Sequence, residues 1–480
     1  MSRSATHALG LLALLISTVP AVADEALLEQ RLEALQRQNE ALQRQSEALQ
    51  HQSETMQRQM QEVRAQLRQL ATEKRPAEKP EAVATGPQFS FGGQYRVNSY
   101  AVADDVGGDD RTASRVRVRQ NVDIKFSEQF KTHLQLELGH TTDNVTTTST
   151  SSRGNDIAVR HAVLDYTFGN GANVQAGIVP LSDRFDDTLF SSDWDYNPVA
   201  LSLTAPLGGG SLRAFGANLN EGDETVAEDD FVHYQLDYAL PLPRDSQLHL
   251  GATLANLADP AQKDRIHANF GIGGSYWLRD GLLLRGFVVG SHTEKELLGT
   301  RDDADGIAAK IELTGDGGLG VMATYASGES DGSGFLPPMA LAATQGYWGY
   351  TGLLTIQGPT DTGFDADSVN ISNNGLGLTT VQVKYFRPLT ANTDMYLAAG
   401  WFGASDTPAG RDSLVGFDFL AMGTYHFSDI LALDFGAAYA LLGDAVSGYP
   451  NGVIGGVTFN QAAGDDRDKT AFFVRLQAEF

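Results

Sequence analysis

Apolar and polar residues alternate with a period of two along most of the chain after residue 88. The segment 115–126 is the clearest example, because valine, isoleucine or phenylalanine fills all but one of its even positions. Its odd positions hold arginine, asparagine, aspartate or lysine. Successive side chains of a strand point to opposite faces of a sheet. The pattern therefore predicts a strand with one apolar and one charged face.

The same two-faced pattern recurs eighteen times. The predicted strands lie near residues 89–100, 115–126, 131–140, 157–168, 174–180, 199–207, 211–219, 231–240, 247–257, 265–278, 282–292, 307–314, 319–327, 377–387, 393–402, 414–427, 431–442 and 469–480. The connections between them alternate between short turns and long polar loops, as in outer-membrane barrels. We therefore predict an all-β transmembrane antiparallel β-barrel of 18 strands, with 16 as the alternative, preceded by an α-helical coiled coil.

The first 88 residues follow other patterns. A basic residue, an apolar run and a small-residue site predict a secretory signal peptide over residues 1–23. Leucine, methionine and valine then recur every seventh residue, which predicts a coiled coil over residues 24–71 that serves as an oligomerisation stalk. Three prolines predict a linker over residues 72–88, and the barrel domain takes residues 89–480.

Composition excludes several classes of protein. The 480 residues contain no cysteine, which excludes disulfide scaffolds and cysteine-ligated metal centres. A net charge of -25 argues against a nucleic-acid partner, since phosphate binding needs clustered lysine and arginine. No zinc-protease, P-loop or haem-attachment motif is present. We expect no enzymatic activity, and the sequence indicates neither a catalytic site, a metal site nor a cofactor.

The whole mature chain resembles the trimeric outer-membrane porins of Gram-negative bacteria that carry an N-terminal periplasmic coiled coil, such as the sucrose porins and DcaP-like transporters. The segments 160–166 and 415–444 are similar to strand pairs of alginate-export-type barrels. The last predicted strand ends in Phe480 and resembles the C-terminal signal that the barrel-assembly machinery recognises. The resemblance implies a homotrimer in the outer membrane, with its coiled coil in the periplasm, that lets small polar solutes diffuse passively.

If the apolar face meets lipid, the charged face lines the lumen. The pore-lining candidates are Arg96, Arg115, Arg117, Arg119, Lys125, Asp123, Glu137, Asp165, Asp237 and Glu312. Arginines 115, 117 and 119 occupy consecutive inward positions, which would suit a path for anions. Opposed basic and acidic walls also suit a general polar constriction, and ion pairs that only fill the lumen are a third interpretation.

Two loops are candidates for narrowing the pore. The segment 181–197 is the candidate constriction loop, and its candidate residues are Asp183, Arg184, Asp186, Asp187 and Trp194. The longer segment 328–376 carries Phe335, Tyr347, Trp348 and Tyr350, whose rings would suit a carbohydrate path or packing of the loop between strands. Other loops are acidic; they are expected chiefly to form a solvated surface, and they would also suit contact with lipopolysaccharide through divalent ions. A carbohydrate-specific channel and an exporter of an acidic polysaccharide remain alternatives to a general porin.

Overall fold

Eighteen antiparallel strands form one closed barrel. The computed structural model describes residues 86–104, 110–138, 157–194, 196–220, 231–257, 265–294, 303–330, 333–338, 348–360, 368–373, 375–407, 409–410, 412–443, 445 and 468–480. Each strand pairs with its neighbours in sequence, and β1 also pairs with β18. No helix among the described residues has the length and apolar character needed to cross a bilayer.

The strand bounds follow the alternating pattern closely. The strands are β1 (Gln88–Asp104), β2 (Arg111–Lys125), β3 (Phe130–Leu138), β4 (Ile157–Thr167), β5 (Asn173–Ile178), β6 (Val199–Leu207), β7 (Gly210–Asn220), β8 (Phe231–Leu242), β9 (Ser246–Leu257), β10 (Arg265–Arg279), β11 (Leu282–Thr293), β12 (Ala304–Gly315), β13 (Leu319–Ala326), β14 (Leu378–Thr390), β15 (Thr393–Gly403), β16 (Leu414–His426), β17 (Leu431–Leu442) and β18 (Asp468–Glu479). The predicted count of eighteen strands is confirmed, and the alternative of sixteen is wrong.

A few strands run beyond their predicted ends. Strand β1 continues to Asp104, and β14 continues past Pro388 to Thr390. Pro388 lies at a register shift between β14 and β15, a position where proline is tolerated because the regular ladder is interrupted. The predicted signal peptide (1–23), coiled coil (24–71) and linker up to residue 85 lie outside the described residues.

The two faces of the wall differ as the pattern predicts. Large apolar side chains on the outer face are exposed, for example Phe91 at 67% and Phe270 at 65%. The opposite face carries polar side chains, and Arg96 stands directly across from Arg117 in the β1–β2 ladder. An apolar outer surface around a polar interior is the arrangement of a barrel that sits in lipid.

The C-terminal residue closes the barrel seam. The Phe480 backbone N–H donates to the Gly93 carbonyl at 3.1 Å, and the Gly93 N–H donates back to Phe480 at 2.8 Å. The Phe480 ring stacks on Tyr95 at a centroid distance of 5.7 Å and is 52% exposed on the outer face. The terminal aromatic ring therefore belongs to the β18–β1 seam.

Two of the long loops pack inside the barrel. Loop L3 is the connection 179–198 between β5 and β6, and loop L7 is the connection 327–377 between β13 and β14. Residues of both, including Leu189, Phe190, Leu353 and Leu354, are fully buried in one apolar cluster with inward side chains of the wall. A polar lumen would not bury such residues, so the two loops fill part of the interior themselves.

Candidate pore constriction

The tip of loop L3 is a tight turn built around Asp183. The carboxylate of Asp183 accepts backbone N–H bonds from Phe185 and Leu189 at 2.5 Å and from Phe190 at 2.9 Å. Asp186 and Asp187 within this turn have positive φ angles of 57° and 56°, which aspartate tolerates better than most residues. Burial raises the pKa of Asp183 to about 7. The carboxyl thus organises the tip from inside.

Glycines of the wall make room for the loop. Phe185 is 2% exposed and lies over Gly251, Gly271 and Gly273, three inward positions on β9 and β10. A Cβ atom at these three sites would come within 3.1, 3.2 and 3.0 Å of its ring, closer than ordinary contact. The ring also packs edge-on against Phe287 at 6.0 Å. The absence of side chains at these three wall positions therefore lets L3 lie against the barrel.

Ion pairs hold the same loop to strands β7, β8 and β12. Arg184 bonds to the buried carboxylate of Asp237, which also accepts from Arg213 Nε at 2.7 Å. Asp186 Oδ2 lies 3.1 Å from Lys310 Nζ. Loop L3 thus follows the inner wall from β7 to β12.

Two further candidates lie in the same loop. Burial raises the pKa of Asp187 to about 6. Trp194 ends a short 3-10 turn, Ser192–Trp194. Three of the five predicted candidates, Asp183, Arg184 and Asp186, therefore anchor the loop. The other two, Asp187 and Trp194, lie in the same loop.

Loop L7 covers the wall from β12 onward. The Tyr350 hydroxyl donates to Glu312 Oε1 at 2.6 Å, and the Tyr350 backbone N–H donates to Gln382 at 2.8 Å. Lys384 Nζ lies 4.1 Å from the centre of the Tyr350 ring. Burial raises the pKa of Tyr350, and the Glu312 carboxylate beside its hydroxyl raises it further. These contacts make Glu312 a link between L7 and the lysines of the wall.

A second buried carboxylate fixes the middle of L7. Asp418 on β16 is fully buried, and its Oδ2 accepts the backbone N–H groups of residues 352, 353 and 354 at 3.2, 2.8 and 2.6 Å. Phe335 is fully buried and Tyr350 is 5% exposed. These two rings, which the sequence offered as a sugar-stacking surface, pack against the protein instead. Tyr347 lies outside the described residues.

The basic wall is a strip of six inward arginines on strands β18 to β4. Its members are Arg475 on β18, Arg96 on β1, Arg115, Arg117 and Arg119 on β2, and Arg160 on β4. Arg96 lies across from Arg117, and Asn98 lies between Arg475 and Arg115. Directly opposed side chains are about 5 Å apart at Cβ. The strip thus concentrates positive charge over five neighbouring strands.

Polar partners orient the arginines of the basic wall. Arg117 donates to Gln94 at 2.6 Å and Arg96 donates to Gln477 at 2.8 Å. Arg119 pairs with Glu137 at 2.5 Å, and Arg475 pairs with Asp434 at 2.8 Å. On the described strands β17 to β4, the inward carboxylates level with these arginines include Glu137, Asp434 and Glu479, which lies across from Gln94 beside Arg119.

The two inward loops meet the edges of the basic wall. Arg160 donates to the Ser192 carbonyl of L3. Arg475 Nη1 donates to the Gly358 carbonyl of L7 at 2.7 Å. The basic wall is therefore flanked by L3 on one side and L7 on the other.

Three other pore-lining candidates lie near the short-turn end of the barrel. Asp123 bonds to His133 at 2.8 Å, and Lys125 pairs with Glu128 of the adjacent turn at 2.6 Å. Asp165 accepts from Gln175 at 2.9 Å. The remaining candidates, Asp237 and Glu312, are buried under the loops at 1% and 5% exposure. The predicted set is thus spread over three regions of the interior rather than one surface.

Some residues of the site were not predicted. Alternation predicts an inward His161, but its neighbour Arg160 also points inward because the β3–β4 register shifts between Gln135 and Leu136, and simple alternation cannot show such a bulge. Arg213 lies on β7, where small residues on both faces hide the period. Asp418 has inward parity, but its role as the anchor of L7 depends on the path of a distant loop.

One segment of L7 matches a hydrolase pattern by spacing alone. Residues 328–332 read Gly-Glu-Ser-Asp-Gly. The pattern marks a nucleophile when a strand precedes it and a helix follows it. In the described residues from 333 to 360, the helical turn is the short 3-10 segment Gly358–Thr360. Among the described residues, therefore, no α-helix follows the segment. No three histidine, aspartate or glutamate side chains in the described part of the chain are grouped to hold a metal ion.

Solved structures share the fold at low sequence identity. The chain is similar to OccK9 (OpdG) of Pseudomonas aeruginosa, with a TM-score of 0.50 and 13% identity over 82% of this chain and 99% of that one. It is also similar to OccK11 (OpdR) of the same organism, with a TM-score of 0.49 and 11% identity over 82% and 96% of the two chains. An anion-selective porin from Comamonas acidovorans follows at 0.41 and 14%, over 82% and 100%.

Other comparisons return nothing: no protein-family profile and no curated protein matches the sequence. The structural similarity supports the fold, a barrel that resembles bacterial outer-membrane porins.

Proposed function

We propose that this protein is an outer-membrane porin through which small polar solutes diffuse, with a preference for anions that pass along the basic wall. The observation that carries the proposal is the basic wall itself. Its six guanidinium groups lie on four of the five neighbouring strands β18 to β4, and they outnumber the nearby carboxylates of Glu137, Glu479 and, on the adjoining strand β17, Asp434, although the chain as a whole has a net charge of -25.

The chemistry of arginine favours anions of a particular kind. A guanidinium group presents planar paired donors that match carboxylate and phosphate oxygens. Side chains two residues apart on a strand are separated by about 6.6 to 7 Å, so Arg115, Arg117 and Arg119 offer evenly spaced contacts along β2. A row of weak, similar sites lets an ion move on after binding. Gln477 and Gln94 accept hydrogen bonds from Arg96 and Arg117 and help to orient them.

The packed loops favour small solutes. Loops L3 and L7 bury apolar residues inside the barrel and bond to strands β7 to β12 and β12 to β18 respectively. Polysaccharide export would need a wide lumen, which this filling opposes. Phe335 and Tyr350 are buried and cannot offer ring faces to a sugar.

The proposed assembly is a homotrimer held by the predicted coiled coil 24–71 in the periplasm. Its support is the heptad pattern of that segment. The apolar outer face would contact lipid and lipopolysaccharide, and Phe480 would guide the barrel-assembly machinery. Deleting residues 24–71 and comparing oligomer size by cross-linking tests the trimer separately from transport, and an undiminished trimer would refute the role of the coiled coil.

Liposome swelling tests the transport proposal. Anionic, neutral and cationic solutes of matched size would be compared for the native protein and for a variant with Arg115, Arg117 and Arg119 changed to Gln. The native protein should pass the anion fastest, and the variant should lose that preference while still passing the neutral solute. The matched control changes Arg244 to Asn and Arg279 and Arg387 to Gln, which removes the same charge from exposed positions outside the basic wall. Equal loss of preference in the control would contradict the proposal.

A further inference from the structure

Two histidines face each other on the inner wall next to the basic wall. His133 lies on β3 and His161 on β4, and His133 Nε2 and His161 Nδ1 are 3.4 Å apart. We propose that these two nitrogen atoms form a binding site for a divalent transition-metal ion such as Zn²⁺, Ni²⁺ or Cu²⁺. The proposal concerns binding by the folded barrel and does not rest on the transport of anions.

Each imidazole of the pair makes a hydrogen bond through the ring nitrogen that points away from the other histidine. These bonds leave the two facing nitrogens with lone pairs that can bind a metal ion. His133 Nδ1 lies 2.8 Å from Asp123 Oδ1, and a carboxylate only accepts, so Nδ1 carries the hydrogen. His161 Nε2 lies 3.0 Å from Asn197 Oδ1 and donates to it in the tautomer that carries its hydrogen on Nε2. Each neutral imidazole has one hydrogen, which places a lone pair on both facing atoms. Two lone pairs at 3.4 Å repel each other unless a cation lies between them.

The spacing suits a metal ion. Zinc binds histidine nitrogen at about 2.0 to 2.1 Å with tetrahedral angles, which places two ligand nitrogens about 3.3 to 3.4 Å apart. Imidazole is a favoured ligand for zinc, copper and nickel. Histidine ligands of metals also commonly donate their second nitrogen to a carboxylate or carbonyl oxygen, the arrangement that Asp123 and Asn197 provide here.

Access and charge set the character of the site. The His133 side chain is 30% exposed, so an ion in the lumen can reach it. Two protein ligands leave the other coordination positions to water or to a lumen anion. Arg160 Nη1 lies 3.2 Å from His161 Nε2, but this arginine is also held by Gln135 at 2.9 Å and lies 3.6 Å from Glu137. Its positive charge weakens metal binding, so removing it should strengthen the site.

Calorimetric titration of the folded, detergent-solubilised protein with ZnCl2 tests the proposal. One saturable ion per chain is expected, and His133→Gln or His161→Gln should lower the affinity at least about tenfold. The matched control is His426→Gln, because His426 Nε2 pairs with Asp394 at 2.8 Å in the same way but the contacts of its ring include no second histidine. This control should bind zinc like the native chain. Arg160→Gln should bind more tightly, since a neighbouring cation is gone.

Other outcomes would overturn the site. In the opposite tautomer, His161 Nε2 accepts from Arg160 and Nδ1 donates to His133, and the pair is satisfied without a metal. Absence of saturable binding, or equal affinity in the native and His133→Gln proteins, would establish that arrangement.

Discussion

Changing Phe185 to Ala should release the tip of loop L3 from the wall. The ring of Phe185 is 2% exposed and fills the space above Gly251, Gly271 and Gly273. The three glycines have no side chains that could move into that space. The substitution therefore removes the packing and leaves a cavity behind it.

The expected cost follows from the burial of the ring. Replacing a buried phenylalanine by alanine costs about 3 to 5 kcal/mol when the site cannot collapse. Each 1.4 kcal/mol changes an equilibrium about tenfold, so the ratio of packed to released tip should fall roughly 100-fold or more. The base of the loop should stay in place, since Phe190 packs against Tyr196 at 4.8 Å and against Phe215 at 5.9 Å.

Two assays report on the tip. Single-channel recordings should show a larger conductance with more open-channel noise in Phe185→Ala. Limited trypsin treatment should cut after Arg184, which in the native chain is held against Asp237. The control is Phe270→Ala, which removes a ring from the outer face of β10, where it is 65% exposed. If the Phe185→Ala protein has native conductance and its Arg184 stays fully protected from trypsin, packing of Phe185 over Gly251, Gly271 and Gly273 does not anchor L3.

Three further predictions concern the buried carboxyl groups of L3 and L7 and the C-terminal strand seam. Asp418→Ala leaves three buried backbone N–H groups of L7 without their acceptor, at about 1 to 3 kcal/mol each, and should expose L7 to proteases, whereas protection would contradict its role. Burial raises the pKa of Asp183 to about 7 and that of Asp187 to about 6, so the packed loop binds more protons than the released loop and loses stability as pH rises from about 4 to 7. Channel noise should therefore be higher at pH 8 than at pH 5, and a pH-independent trace in the native protein would refute this. Deleting Phe480 removes both seam hydrogen bonds and should reduce the yield of heat-modifiable barrel in membranes, and an unchanged yield would count against its role.

Much of the fold could be predicted because each strand separates its apolar and polar residues. The part of strand β2 from residue 115 to 125 shows this best, since one outward position there, Gln120, breaks an otherwise regular alternation, and its amide donates to the Gly92 carbonyl at 2.8 Å. The alternation of short and long connections then gave the antiparallel order. Neither property depends on contacts between residues distant in sequence, and this is why the strands and their order could be predicted from the sequence.

The interior was harder to predict because its contacts are distant in sequence. Arg184 meets Asp237 across 53 residues, and Leu354 meets Asp418 across 64. The bulge that turns Arg160 inward has no sequence signal of its own. The glycines at 251, 271 and 273 did carry a signal, since three inward positions on adjacent strands lack side chains, but only the position of Phe185 shows what they accommodate.

The most direct test of the account is the reversal potential of the purified channel in a planar bilayer under a KCl gradient. The native protein should favour chloride over potassium, and the variant with Arg115, Arg117 and Arg119 changed together to Ala should lose that selectivity while still conducting. A native channel that favours potassium, or a variant with the selectivity of the native protein, would contradict the proposal that anions pass along the basic wall.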